Sequence, residues 1–138
     1  MPLLSRKGIL AIAAVIDVAL HSEVRPVSAK ALASRQGLPP RHLEPVLQAL
    51  VHDGILRGVR GPHGGYSLGR DKSEITANEI LRAAGSVEDG SDAPLPGSVL
   101  VSNVVLPALT QAERAFASAL GTIHLHDLVA RAQIVATS

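Results

Sequence analysis

Apolar positions recur along this chain at helical spacing, and turn residues cut the pattern into discrete segments. Ile9 to Leu20 is apolar at every position except Asp17. This predicts a helix over 8–21 that is buried on nearly every side, against its own domain and a partner subunit. Twelve residues are too few for a bilayer, which needs about 20. Asp17 and the poor cleavage sequence Ala19-Leu20-His21 speak against a secretory leader. Val24 to Val27 is a connector containing Pro26. Ser28 then has the hydroxyl to cap a helix over Ala29–Gln36, and Gly37 suits its left-handed end. Pro40 fits the first turn of a third helix, where Leu43, Val46, Leu47, Leu50 and Val51 form one apolar face and Asp53-Gly54 ends the run.

The period then changes. Ile55 to Val59 reads as a short strand, Arg60-Gly61-Pro62-His63-Gly64-Gly65 is dense in turn residues, and Tyr66-Ser67-Leu68 reads as the return strand. Helix, helix–turn–helix and β-hairpin in that order make a winged helix. A short amphipathic helix follows, from Ser73 or Glu74 to Gly85, with Thr76 and Glu79 spaced for a capping box. Residues 86–98 read as a loop. A long helix is predicted over 99–120, with an apolar stripe through Val101, Val105, Ala108 or Leu109, Ala112, Phe116 and Ala119. Pro107 is expected to kink it. A last helix runs over 124–135. The expected class is mainly α with a small β-hairpin. A winged helix–turn–helix domain over 1–85, a loop over 86–98, and a dimerisation helix with a C-terminal helix over 99–138 make up the chain.

Composition agrees with a helical core. Of 138 residues 46% are hydrophobic but only 1% aromatic, so Ala, Leu, Val and Ile must fill the interior. There is no cysteine, which excludes disulfides, thiol catalysis and thiolate-held metal sites. The net charge of +1 conceals an asymmetry. Residues 25–72 carry eight Lys or Arg against three acids, net +5, whereas 73–138 carry three against seven, net −4. A basic middle suits a polyanion, and the acidic tail is left for another task.

The second helix of a helix–turn–helix enters the major groove with its first turns toward base edges. Here those turns carry Arg41 and His42, which can bond guanine or phosphate, and Glu44, which can accept from a cytosine amino group. Gln48, one turn on, can read adenine. Lys30 and Arg35 on the supporting helix suit the DNA backbone. On the wing, Arg60 can enter a narrow minor groove, with His63 beside it. Arg57 and Arg70 flank the hairpin as expected phosphate contacts. The candidate DNA-contact set is Ser28, Lys30, Arg41, His42, Glu44, Gln48, Arg57, Arg60, Gly61, His63, Gly64, Gly65 and Tyr66.

Residues 27–70 contain the words Leu43-Glu44 in the third helix and VRGPHGGYSL in the wing. They resemble the Rrf-two family of bacterial winged-helix transcription regulators. Looser similarity extends to Ser5-Arg6-Lys7-Gly8, to Ile75–Ala84 and to Thr122–Leu128. The resemblance implies a homodimer paired through the helix near 99–120, reading a palindromic double-stranded DNA operator. By position, His42, Glu44 and Arg60 fall where family members contact DNA. Two features depart from the pattern. Many members hold an iron–sulfur cluster on three cysteines between the fourth helix and the dimerisation helix, and residues 89–106 have none. Pro45 follows Glu44 inside the recognition helix and cannot donate to the Arg41 carbonyl.

Other chemistries find little footing. His124 and His126, two apart on a helix, diverge by about 200°, so no metal site is expected there. The glycine-rich wing lacks the Lys-Ser/Thr ending of a phosphate loop, and no nucleophile elbow occurs, so no enzyme is expected. An effector pocket lined by Val, Leu and Ala near the dimer helices is compatible with the pattern, but nothing names its ligand. The expectation is a cytoplasmic, homodimeric DNA-binding repressor with no cofactor. The alternative is a winged-helix protein-interaction module whose DNA face Pro45 has blunted.

Overall fold

The computed structural model describes residues 6–37, 39–85, 103–104 and 106–136. The predicted loop over 86–98 and most of the opening of the predicted helix over 99–105 lie outside them. The described chain has six α-helices and one antiparallel hairpin: α1 (Arg6–His21), α2 (Ala29–Gln36), α3 (Pro40–His52), β1 (Leu56–Val59), β2 (Gly65–Leu68), α4 (Ala77–Ala84), α5 (Leu106–Leu120) and α6 (Leu125–Ala136). This is a winged-helix architecture, as the pattern predicts.

Local signals account for several boundaries. Ser28 Oγ accepts from the Ala31 amide at 3.0 Å and starts α2. Gly37 ends it in the left-handed region at φ 68°, its amide reaching the Ala33 and Ser34 carbonyls. Thr76 Oγ1 accepts from the Glu79 amide at 3.3 Å and starts α4. The Glu79 carboxylate reaches back as well: its Oε1 accepts from the Thr76 hydroxyl at 3.4 Å, while its Oε2 is engaged by Arg70 at 2.6 Å. Pro45 lies inside α3, and the helix nevertheless runs unbroken from Pro40 to His52.

The burial of α1 follows from its composition. It packs against α2, α3, α4, α6 and β2, and Ala11, Ala14, Val15 and Val18 are fully buried. Leu32, Leu43, Leu47, Leu50, Ile55, Ile75 and Ile80 complete the same cluster.

Two non-local pairings have no local signature in the sequence. Val27 and Tyr66 exchange backbone bonds of 2.9 and 2.8 Å, so β2 pairs with β1 on one side and with the entry to α2 on the other. Farther along, the Ala77 amide bonds the Ile123 carbonyl and the Leu125 amide bonds the Ile75 carbonyl, both at 2.9 Å. This second clamp seats α6, whose Leu125 and Val129 are buried in the common core. Between these pairings, Lys72–Glu74 forms a 3-10 turn capped by Asp71, which accepts from the Ser73 amide at 2.9 Å. Pro107 is the second residue of α5, and Asn103 and Val104 shortly before it are π-helical. The kink expected at Pro107 involves residue 105, which lies outside the described residues.

Candidate nucleic-acid interface

The placement of the helix–turn–helix begins with Asp17. It is 5% exposed within an otherwise apolar helix. A carboxylate in that position must be paired. Arg35 of α2 supplies a fork, with Nε at 2.9 Å from Oδ2 and Nη2 at 2.8 Å from Oδ1. Gln36 Nε2 adds a third donor at 3.1 Å. The hydrogen bond to Asp17 also raises the Arg35 pKa further above its ordinary range. The last turn of α2 is thereby fixed to α1. The expectation placed Arg35 on the DNA backbone; its Nε and Nη2 serve this junction, and its Nη1 takes no part in it.

On α3, Leu43, Val46, Leu47 and Leu50 face the core, which turns Arg41, His42, Glu44, Pro45 and Gln48 to solvent. The helical period alone separates these two faces.

The wing is held by close backbone packing. A Cβ on Gly65 would sit 2.3 Å from the Val27 carbonyl oxygen, and one on Gly64 would sit 2.3 Å from that of Val59. Only glycine admits both contacts. Tyr66, on β2, is half-buried. Burial, with a smaller contribution from the Glu44 carboxylate, pushes its phenol above the ordinary pKa. Glu44 of α3 is thus within electrostatic reach of the wing. α3 packs against β1, which pairs with β2 on one side, and the Val27 bridge brings the start of α2 to the other.

The expected contact residues divide by exposure. Ser28, Lys30, Arg41, His42, Glu44, Gln48, Arg57, Arg60, Gly61 and His63 are exposed, whereas Gly64, Gly65 and Tyr66 are half-buried at the base of the wing. Among the described residues, Lys30, Arg41, Arg57 and Arg60 enter no ion pair. Arg70 does: its Nη2 lies 2.6 Å from Glu79 Oε2 and its Nη1 3.4 Å from the Glu74 carbonyl. It ties the base of the wing to α4 rather than standing free for phosphate. Asp17 was read only as an interruption in an apolar run. That anomaly was the available signal for its pairing.

Comparison with known proteins agrees with this architecture. The profile of the Rrf2 family, described as an iron-dependent transcriptional regulator, matches residues 4–131. The HTH-type transcriptional regulator IscR of Xenorhabdus nematophila is 33% identical over 137 residues, covering 96% of this chain and 82% of that protein. IscR of Photorhabdus laumondii is 42% identical over 90 residues, covering 65% of this chain. In that match the chain spans about half of the relative's length (53%). Among solved structures, T. potens IscR superposes with a TM-score of 0.72 at 30% identity, covering 93% of this chain and 86% of that one. CymR, the global cysteine regulator of B. subtilis, gives 0.68 at 25% identity, covering 92% and 95%. With a helix–turn–helix braced by Asp17, a wing bridged to its entry and a family match over nearly its whole length, the chain belongs to the Rrf2 family of winged-helix, DNA-binding transcription regulators.

Proposed function

We propose that the protein is a homodimeric, sequence-specific repressor that reads a palindromic operator and senses without a cysteine-ligated cluster. The observation that carries this reading is the junction at β2. That strand is bridged to Val27 at the entry of α2 and pairs with β1, which packs on α3. The junction supports a common surface for the free cations of α2, α3 and the wing. On that surface Arg41, His42 and Gln48 would meet bases or phosphates, Glu44 would select cytosine, and Arg60 would enter the minor groove. Ser28, Lys30, Arg57, Gly61, His63, Gly64, Gly65 and Tyr66 would complete the contact along the backbone.

Dimerisation draws support from α5. Among the described residues it packs on α4, and Ala108, Ala112 and Ala119 of the apolar stripe are exposed. Two recognition helices would then lie about 34–36 Å apart, or a multiple of that, on the operator. The family's iron does not fit a cysteine-held centre in this chain, which has no cysteine. Among the described residues no group of three or more His, Asp or Glu is placed to hold a metal. The described helices include none long and apolar enough to cross a membrane. The interaction-module alternative drew on a recognition helix blunted at Pro45. The uninterrupted α3 gives that reading no support.

Recovery of genomic DNA bound by the protein tests the proposal and supplies its operator. On that operator, Arg60→Ala is expected to weaken binding by about 1–3 kcal/mol. Glu44→Ala is expected to relax sequence choice while keeping or raising general affinity, since it removes a selective but repulsive anion. Equal loss on every sequence after Glu44→Ala would refute the role given to Glu44. Recovery of no DNA would refute the regulator reading.

A further inference from the structure

Between the α1–α2 connector, the first turn of α2 and the wing tip lies an open groove of about 410 Å³. Its polar lining consists of His21, Arg25, Ser28, Arg35 and His63, and no acidic residue contributes to it. The Asp17 carboxylate lies 3.5 Å from His21 Nδ1, but it is buried and already accepts from Arg35 and Gln36.

Three of the groove's donors are held in place. Arg35 is pinned through Nε and Nη2, so its Nη1 projects from a fixed guanidinium, and the side chain is 37% exposed. A donor already held in place loses little rotamer freedom on binding. His21 directs Nδ1 to the Asp17 carbonyl at 3.0 Å. A carbonyl only accepts, so that nitrogen carries hydrogen and Nε2 is left for another partner. Ser28 Oγ accepts from the Ala31 amide, which leaves its own hydrogen free to donate. Arg25 and His63 close the groove from the connector and from the wing, and both are exposed. The Val27–Tyr66 bridge fixes these two walls relative to each other.

We propose that this groove is a binding site for a phosphate-class oxyanion. Clustered cations, neutral donors and the absence of a lining carboxylate suit a compact anion with several acceptor oxygens. Two sources share that chemistry: a free oxyanion, and one phosphate of a DNA strand passing the wing. The second rests on the DNA-binding reading above, and the first does not.

The test uses the full chain at pH 6.5 and constant ionic strength, with imidazole resonances followed by NMR. Inorganic phosphate is expected to shift His21 and His63 saturably while His52 and His124, which do not line the groove, stay put. Arg25→Gln is expected to weaken the response about fivefold, the worth of one exposed charged contact of about 1 kcal/mol. His63→Gln, at the exposed wing tip, is the second variant and is expected to weaken the His21 response. A duplex carrying the operator is then added. If the duplex displaces phosphate, the groove takes a DNA phosphate. If phosphate stays with the duplex bound, it takes a free oxyanion. The proposal falls if neither phosphate nor duplex moves His21 and His63 beyond the two controls, or if both variants respond like the parent chain. A duplex that moves the Arg41 and Gln48 amides but leaves the groove still sinks the groove and spares the DNA-binding reading. Phosphate in the groove with no response to any duplex does the reverse.

Discussion

Tyr66 is the only tyrosine in the chain, and tryptophan is absent. Absorbance at 295 nm therefore titrates one known group. Its midpoint is expected above the ordinary value of 10.0. Glu44→Gln is expected to lower the midpoint part of the way, because burial is the larger cause and persists. The raised value makes the folded state the better proton binder, so this group's stabilisation is complete below pH 10 and is lost as pH rises through the folded value. A midpoint unmoved by Glu44→Gln would separate α3 from the wing. Asp17 supports a second expectation. Arg35→Ala leaves a buried carboxylate short of its main partner and should cost about 3 kcal/mol. That is the low end for breaking a buried pair, since Arg35 is partly exposed. Asp17→Asn keeps the shape and frees only an arginine that can reach water, so about 1 kcal/mol is expected. Urea unfolding midpoints compare the two, and a reversed order would contradict the account. The sequence displayed Asp17 as a misfit but not its partners. They stand 18 and 19 positions away, beyond any local pattern.

Elements were legible where their causes are local. Ser28 and Gly37 bound α2 with contacts inside a few residues, and the expected span 29–36 is the span observed. The hydrophobic face of α3 and the glycine-rich hairpin followed in the same way. Pairings set by distant chain were not legible. Nothing near Ile75 announces that it will accept from Leu125, and nothing near Val27 announces a bridge to β2. The Val27 pairing gives the wing its own prediction. Gly65→Ala drives a methyl group into the Val27 carbonyl at a φ of 156°. The bridge should open, with faster hydrogen exchange at the Val27 and Tyr66 amides and weaker DNA binding, while α4 and α6 keep their protection. Unchanged exchange at those two amides would show that the bridge does not hold the wing.

The whole molecule has a basic half and an acidic half, and the fold consumes part of the basic surplus. Arg35 and Arg70 are drawn into structural pairs, so the face left for DNA is narrower than the charge count over 25–72 suggests. What the pairing leaves is a set of cations on α2, α3 and the hairpin. On α5, Ala108, Ala112 and Ala119 of the apolar stripe are exposed and Phe116 beside them is half-buried. Phe116→Glu places a charge in that stripe and is expected to halve the mass found by sedimentation while leaving helix content unchanged. An unaltered mass would move the subunit contact elsewhere. The central claim is that α3 and the wing press their cations on one duplex together. The most direct test is the affinity for the operator as a function of salt, for the parent chain and for Arg41→Ala, Arg60→Ala and their double variant. The account predicts a steep linear fall of log K with log salt, with each removed phosphate contact reducing the slope by about 1 and the double variant reducing it by both amounts. Association that ignores salt, or a slope that neither arginine changes, would contradict it.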